Sequence, residues 1–200
     1  YKLTGSTGDG YKFAKSFGHK VIDQVPGLIG INLKNNFSLA GLTLKNVELK
    51  VLKDKKIISR EFGEMLFTHR GISGPIVLTT SSKINRLKDF EMYLDLKPAL
   101  EPERLDARIL RDFHENQNKN LENVMKSLLP RDLISYVLEV AGISGEKKVN
   151  QITKEEREEL VKIIKNFKPD LVVGFGGYIS YPILSVAKKM GIKTAIHEQN

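Results

Sequence analysis

The chain has no cysteine. That excludes disulfides, thiolate metal sites and cysteine nucleophiles, and it fits a cytoplasmic setting. Long apolar runs are missing too. None reaches the ~20 residues a membrane-spanning helix needs, and the opening residues do not read as a signal peptide. His114 stands beside Phe113 with no second ligand at metal spacing, so no metal site is expected. Aromatic residues do not interleave with the lysines, which are scattered (Lys53, Lys55, Lys56, Lys147, Lys148, Lys188, Lys189). The net charge of +8 therefore reads as solvated surface, with no nucleic-acid partner expected. Hydrophobic residues make up 40% of the 200, enough for a true core in one large or two small domains.

The stretch that organises the rest is Phe62-Gly-Glu-Met-Leu-Phe-Thr-His-Arg-Gly-Ile-Ser-Gly-Pro75. An apolar strand core, Met65 to Phe67, runs into Thr68 and His69. A glycine-punctuated turn follows, and Gly74-Pro75 opens an apolar helical run. Strand, polar turn and helix start in that order bring side chains and free helical N–H groups to a ligand in many α/β proteins. The plainer reading is a tight turn with Ser73 capping a helix that has Pro75 at its first position. Spacing alone favours the plainer one.

Ahead of this stretch, Thr4-Gly-Ser-Thr-Gly-Asp-Gly10 is a glycine-rich loop, and a helix from about Gly8 to Phe17 stops at Gly18. Such a loop lets backbone approach a phosphate or a flat ring, and the helix start favours an anion. Ordinary turns use the same residues, and Asp9 also suits the helix dipole. His19 reads as a capping or surface residue. Residues 21 to 96 are mostly strand. Val47 to Val51 alternates, Lys53-Asp-Lys-Lys56 is a turn, Ile57 to Phe62 returns, and Phe90 to Leu96 alternates again. A short helix spans about Pro75 to Ile84.

From Glu101 to Phe167 the pattern is helical. Leu105, Ile109, Leu110 and Phe113 form one stripe; Leu121 to Leu128 and Arg131 to Ala141 are two further helices, the latter stopped by Gly142. Thr153-Lys-Glu-Glu156 is a capping box opening the last. Beyond Pro169, a short apolar run (Asp170 to Phe175), a glycine turn, a helix from Ile183 to Met190 and a strand from Lys193 to Ile196 predict a βαβ unit with its loop at the strand's carboxyl end.

Two resemblances lie on different parts of the chain. Residues 1 to about 167 resemble the bacterial NAD(P)/FAD-dependent oxidoreductases of the aminoacetone-oxidase-like flavoprotein group. The motifs are Thr4-Gly-Ser-Thr-Gly-Asp-Gly-Tyr11, Gly41-Leu-Thr-Leu-Lys-Asn-Val47, Gly63-Glu-Met-Leu-Phe-Thr-His69 with Gly71-Ile-Ser-Gly-Pro75, Asp95-Leu-Lys-Pro98 and Lys148-Val-Asn-Gln-Ile-Thr153. The resemblance implies that residues 1–20 end a flavin-domain segment, 21–96 form a strand-rich domain and 97–167 a helical insertion. It implies FAD as cofactor, with Gly5, Ser6, Thr7, Gly8, Asp9 and Gly10 near the flavin, and Thr68, His69, Gly71 and Ser73 lining the same face. The family's Gly-x-Gly-x-x-Gly fingerprint is absent, so tight FAD binding by this chain alone is not expected.

Residues from about 168 to 200 resemble MurG-type N-acetylglucosaminyltransferases of peptidoglycan synthesis, through Lys168-Pro-Asp-Leu-Val-Val-Gly-Phe-Gly-Gly-Tyr-Ile-Ser-Tyr-Pro182 and Ile196-His-Glu-Gln-Asn200. That resemblance implies a substrate cleft lined by Gly176, Gly177, Tyr178 and Ser180, with Asn200 near the donor sugar. It also implies that any peripheral membrane association comes through this tail. The expectation is an α+β chain: an antiparallel strand-rich domain with a helical-bundle insertion, then a terminal βαβ Rossmann-like fragment. The chain reads as a fragmentary hybrid, joined near residues 165–168 and inactive by itself. A non-catalytic interaction module is the remaining alternative.

Overall fold

The computed structural model describes residues 5–33 and 39–168. Among these, five strands form one antiparallel sheet: β1 (Ile31–Asn32), β2 (Thr43–Lys53), β3 (Lys56–Thr68), β4 (Gly71–Ser73) and β5 (Glu91–Asp95), in the spatial order β1-β4-β3-β2-β5. Six helices accompany it: α1 (Asp9–Ser16), α2 (Pro75–Ile84), α3 (Pro102–Glu115), α4 (Leu121–Met125), α5 (Arg131–Ala141) and α6 (Lys154–Lys165). The chain is α+β, as expected.

The β2–β3 hairpin is the frame. Leu44, Val47, Leu49 and Val51 of β2 are buried. Asp54 and Lys55 both adopt positive φ, the twist a two-residue turn needs to bring β3 back alongside. Leu44 faces Met65 and Val47 faces Gly63, so Lys45 and Asn46 together oppose Glu64 alone. This bulge, with Asn46 at φ 55°, bends the hairpin.

Four expectations need correcting here. The return strand does not stop at Phe62; it runs unbroken to Thr68 and includes Met65–Phe67. Gly63 looks like an interruption but is a crossing point: its φ is +151°, and a Cβ there would lie 2.9 Å from Ile76 Cγ2 of α2. Second, Gly71 to Ser73 is strand, and the turn shrinks to His69-Arg70. Ser73 pairs with Leu66 and does not cap α2. Gly74 takes the N-cap position at φ +99°, a backbone that favours glycine, and a Cβ there would lie a tight 3.0–3.2 Å from the backbone of residues 64–66. Third, the buried stripe of α3 is Leu105, Ile109 and Phe113, spaced by four; Leu110 falls outside it and is exposed. α4 also ends at Met125, after which turns closed by backbone bonds carry the chain to Leu129.

α6 docks on the β5 edge of the sheet, whereas α2 packs on β3. Phe167 exchanges backbone hydrogen bonds with Leu94, and Leu96 N–H donates to the Ile164 carbonyl. Thr153 and Glu156 close the predicted capping box of α6. Arg157 of α6 grips Asp106 of α3 with two nitrogens, at 2.6 and 3.2 Å. One continuous buried cluster runs from Ile31, Leu49, Met65 and Leu94 on the sheet to Leu105, Leu133 and Ile164 on the helices. Residues 23–33 are strapped along α2: Leu28 and Ile29 donate backbone N–H groups to Ser82 and Ser81, and Arg86 donates to the Asp23 carbonyl. The βαβ unit expected beyond Lys168, with Gly176, Gly177, Tyr178, Ser180 and Asn200, lies outside the described residues.

Candidate functional site

The glycine loop is open. Gly5 and Gly8 take positive φ, and among the described residues no atom lies within 4 Å of a Cβ placed at Gly5 or Gly10. Thr7 Oγ1 and Lys12 Nζ both donate to Asp9, the latter at 2.7 Å. These two bonds, Lys12 first, hold the Asp9 carboxyl below its ordinary range. Ser6 and Gly10 complete a short run of backbone leading into α1. That helix buries none of its residues: Tyr11, Phe13 and Phe17 are exposed, Phe17 by 80%.

Thr68, His69, Gly71 and Ser73 sit on the β3–β4 hairpin, a different element. The Thr68 hydroxyl accepts the N–H of Gly71 at 3.1 Å and so closes the turn. His69 is exposed at the tip. Gly71 is buried beneath β1, where a Cβ would fall 2.0 Å from the Ile31 carbonyl oxygen. Each residue's visible part is thus in the hairpin or its packing. The contacts of the Gly5–Gly10 loop are local, so nothing shown brings the two groups together.

Sequence reasoning missed a third region, where the sheet meets the helices. Asp95 is 2% exposed on β5. Its carboxylate takes Lys165 at 2.7 Å, Lys50 at 3.6 Å and the backbone N–H of Lys97 at 3.0 Å. Lys165 also donates to the carbonyls of Lys97 and Leu100, and Lys50 reaches Glu48 at 3.1 Å. A buried charge survives only with such partners. Beside this network a groove of about 270 Å³ separates the start of β2 from α5, lined by Leu44, Val47, Leu96, Leu129, Leu133 and Lys97 among others. The Lys97 ammonium is pushed below its ordinary range by burial first and by Arg108 second. The signal available was Asp95-Leu-Lys-Pro98; its partners lie 45 and 70 positions away, beyond any local pattern.

Among the described residues no cluster of His, Cys, Asp and Glu could hold a metal, and no helix is long and apolar enough to cross a membrane.

The 3-dehydro-bile acid delta(4,6)-reductase of Clostridium scindens is 24% identical over 169 residues, 82% of this chain and 41% of the reductase. Shorter matches carry the name UDP-N-acetylglucosamine--N-acetylmuramyl-(pentapeptide) pyrophosphoryl-undecaprenol N-acetylglucosamine transferase. That of Alkaliphilus oremlandii is 43% identical over 67 residues, 34% of this chain and 18% of the transferase. That of Finegoldia magna is 42% identical over 90, covering 41% and 23%. The chain thus spans less than half the length of each. A family model, described as the HI0933-like protein barrel and H2TH domain, matches residues 25–178. The chain belongs to this HI0933-like family of FAD-dependent oxidoreductases.

Proposed function

We propose that this chain supplies the strand-rich and helical parts of an FAD-dependent oxidoreductase, with residues 1–20, 21–96 and 97–167 as flavin-domain end, strand-rich domain and helical insertion. The observation that carries the reading is the family match across residues 25–178, with the reductase relative over 82% of the chain in support. The glycine loop fits one edge of a flavin. A Cβ placed at Gly5 or Gly10 would meet no described atom within 4 Å, and the Asp9 charge is already countered by Lys12. A bound flavin supplies electron and hydride transfer. This chain's part is to hold one side of it through Gly5–Gly10 and to carry that loop on a stable core.

One edge does not make a tight site, because a dinucleotide needs a cradle for its pyrophosphate as well. Purified chain mixed with FAD and desalted is expected to emerge colourless and without redox turnover. Stoichiometric yellow protein would overturn the proposed division of the site.

A second reading applies to residues 168–200. The transferase matches, above 40% identity, favour a glycosyltransferase-like βαβ tail in which Gly176, Gly177, Tyr178, Ser180 and Asn200 face a sugar-nucleotide cleft. The matched stretches of 67 and 90 residues exceed that 33-residue tail, and the oxidoreductase-family match itself ends at residue 178. The two readings meet within one segment, as a hybrid sequence would have them. Long single-molecule reads of the gene across codons 150–180 test this. Uninterrupted coverage supports a true fusion, whereas reads that divide there reveal an assembly artefact.

A further inference from the structure

The groove between the sheet and α5 has a chemistry that the flavin reading does not use. Its walls mix apolar side chains, Leu44 and Val47 from β2, Leu96 after β5, Leu129 before α5 and Leu133 within it, with Thr43 and two lysines. Its described lining contains two cations, Lys45 and Lys97, and no carboxylate. Lys45 lies 3.9 Å from Glu64, both well exposed, and is a loose pair. Lys97 makes no ion pair among the described residues.

The backbone of Lys97 is held on both sides. Its N–H donates to buried Asp95, and its carbonyl accepts from Lys165. The backbone that carries this side chain is therefore fixed. A half-buried cation in a groove that also presents leucine side chains, with no ion pair among the described residues, is complementary to a small anion with an apolar body. The volume, about 270 Å³, is at the small end for such sites.

We propose that this groove binds a small amphipathic carboxylate, its apolar body against Leu44, Leu96 and Leu133 and its carboxylate on Lys97. The proposal stands on the groove alone and is independent of FAD.

The test is a titration of the whole chain with octanoate, followed by backbone amide NMR shifts, with octanamide as the neutral isostere. Saturable octanoate shifts are expected at Leu96, Lys97 and Leu133. Losing the charge pair should weaken binding about tenfold or more, both for octanamide and for Lys97→Met, whereas Lys97→Arg should stay within about threefold. Should Lys97→Met disturb the folded spectrum, the octanoate–octanamide comparison on the unaltered chain still decides. Absence of saturable shifts, shifts confined to the exposed aromatics of α1, or equal affinity for octanoate and octanamide would each overturn it.

Discussion

The two ends of the described chain make opposite use of similar residues. Phe13 in the eight-residue α1 and Phe17 just after it are both exposed, and the helix buries nothing. In α6, Leu160, Val161, Ile163 and Ile164 are all buried, and the helix is fastened to the sheet by Lys165 and Phe167. Amphipathic pattern alone does not fold a helix; short helices are marginal until tertiary packing covers the apolar face. α6 has that cover within the chain. The described residues offer none to α1.

The comparison can be broken or sharpened by substitution. The largest effect is expected at the junction. Asp95→Ala leaves Lys165, 11% exposed, without its buried partner, and should cost about 3–5 kcal/mol in urea unfolding. Gly71→Ala comes next. Its Cβ cannot coexist with the Ile31 carbonyl, so β1 must shift, at about 1–3 kcal/mol. Loss of amide protection at Ile31 and Ile72 would show where the strain goes.

A smaller effect concerns pH. Glu156 is held below its ordinary value of 4.5 by Lys147 first and by the Thr153 backbone N–H second. A lowered carboxyl pKa in the folded state adds stability that is present above pH 4.5 and is lost as pH falls below it. Lys147→Met should cost under about 1 kcal/mol at pH 7 and flatten that acid-side loss. Smallest of all is Phe13→Ser in α1, expected to change unfolding stability by less than about 0.5 kcal/mol. A cost of 2 kcal/mol there would mean that α1 is packed after all.

Much of the helical half was legible because its signals are local. Pro75, Gly142 and the Thr153–Glu156 box each mark a boundary within a turn of the residues that cause it. The sheet was less so. Gly63 reads as a break in sequence, yet it is where α2 crosses an unbroken strand. Ser73 has the chemistry of a cap but is claimed by pairing with Leu66. The Gly5–Gly10 loop was visible as a motif, and Gly5 and Gly8 take the positive φ that such a loop uses. The Lys97 groove was not visible, since it joins residues 43 to 47, 96 to 97 and 129 to 133 by tertiary contact alone.

The central claim is that a core held at Asp95 folds without the segment that carries the glycine loop. Amide hydrogen exchange on the isolated chain tests it most directly. The account predicts that amides of α1 exchange at nearly unprotected rates, while those of β2, β3, α5 and α6 open only with global unfolding. Protection in α1 equal to that of β3 would contradict it.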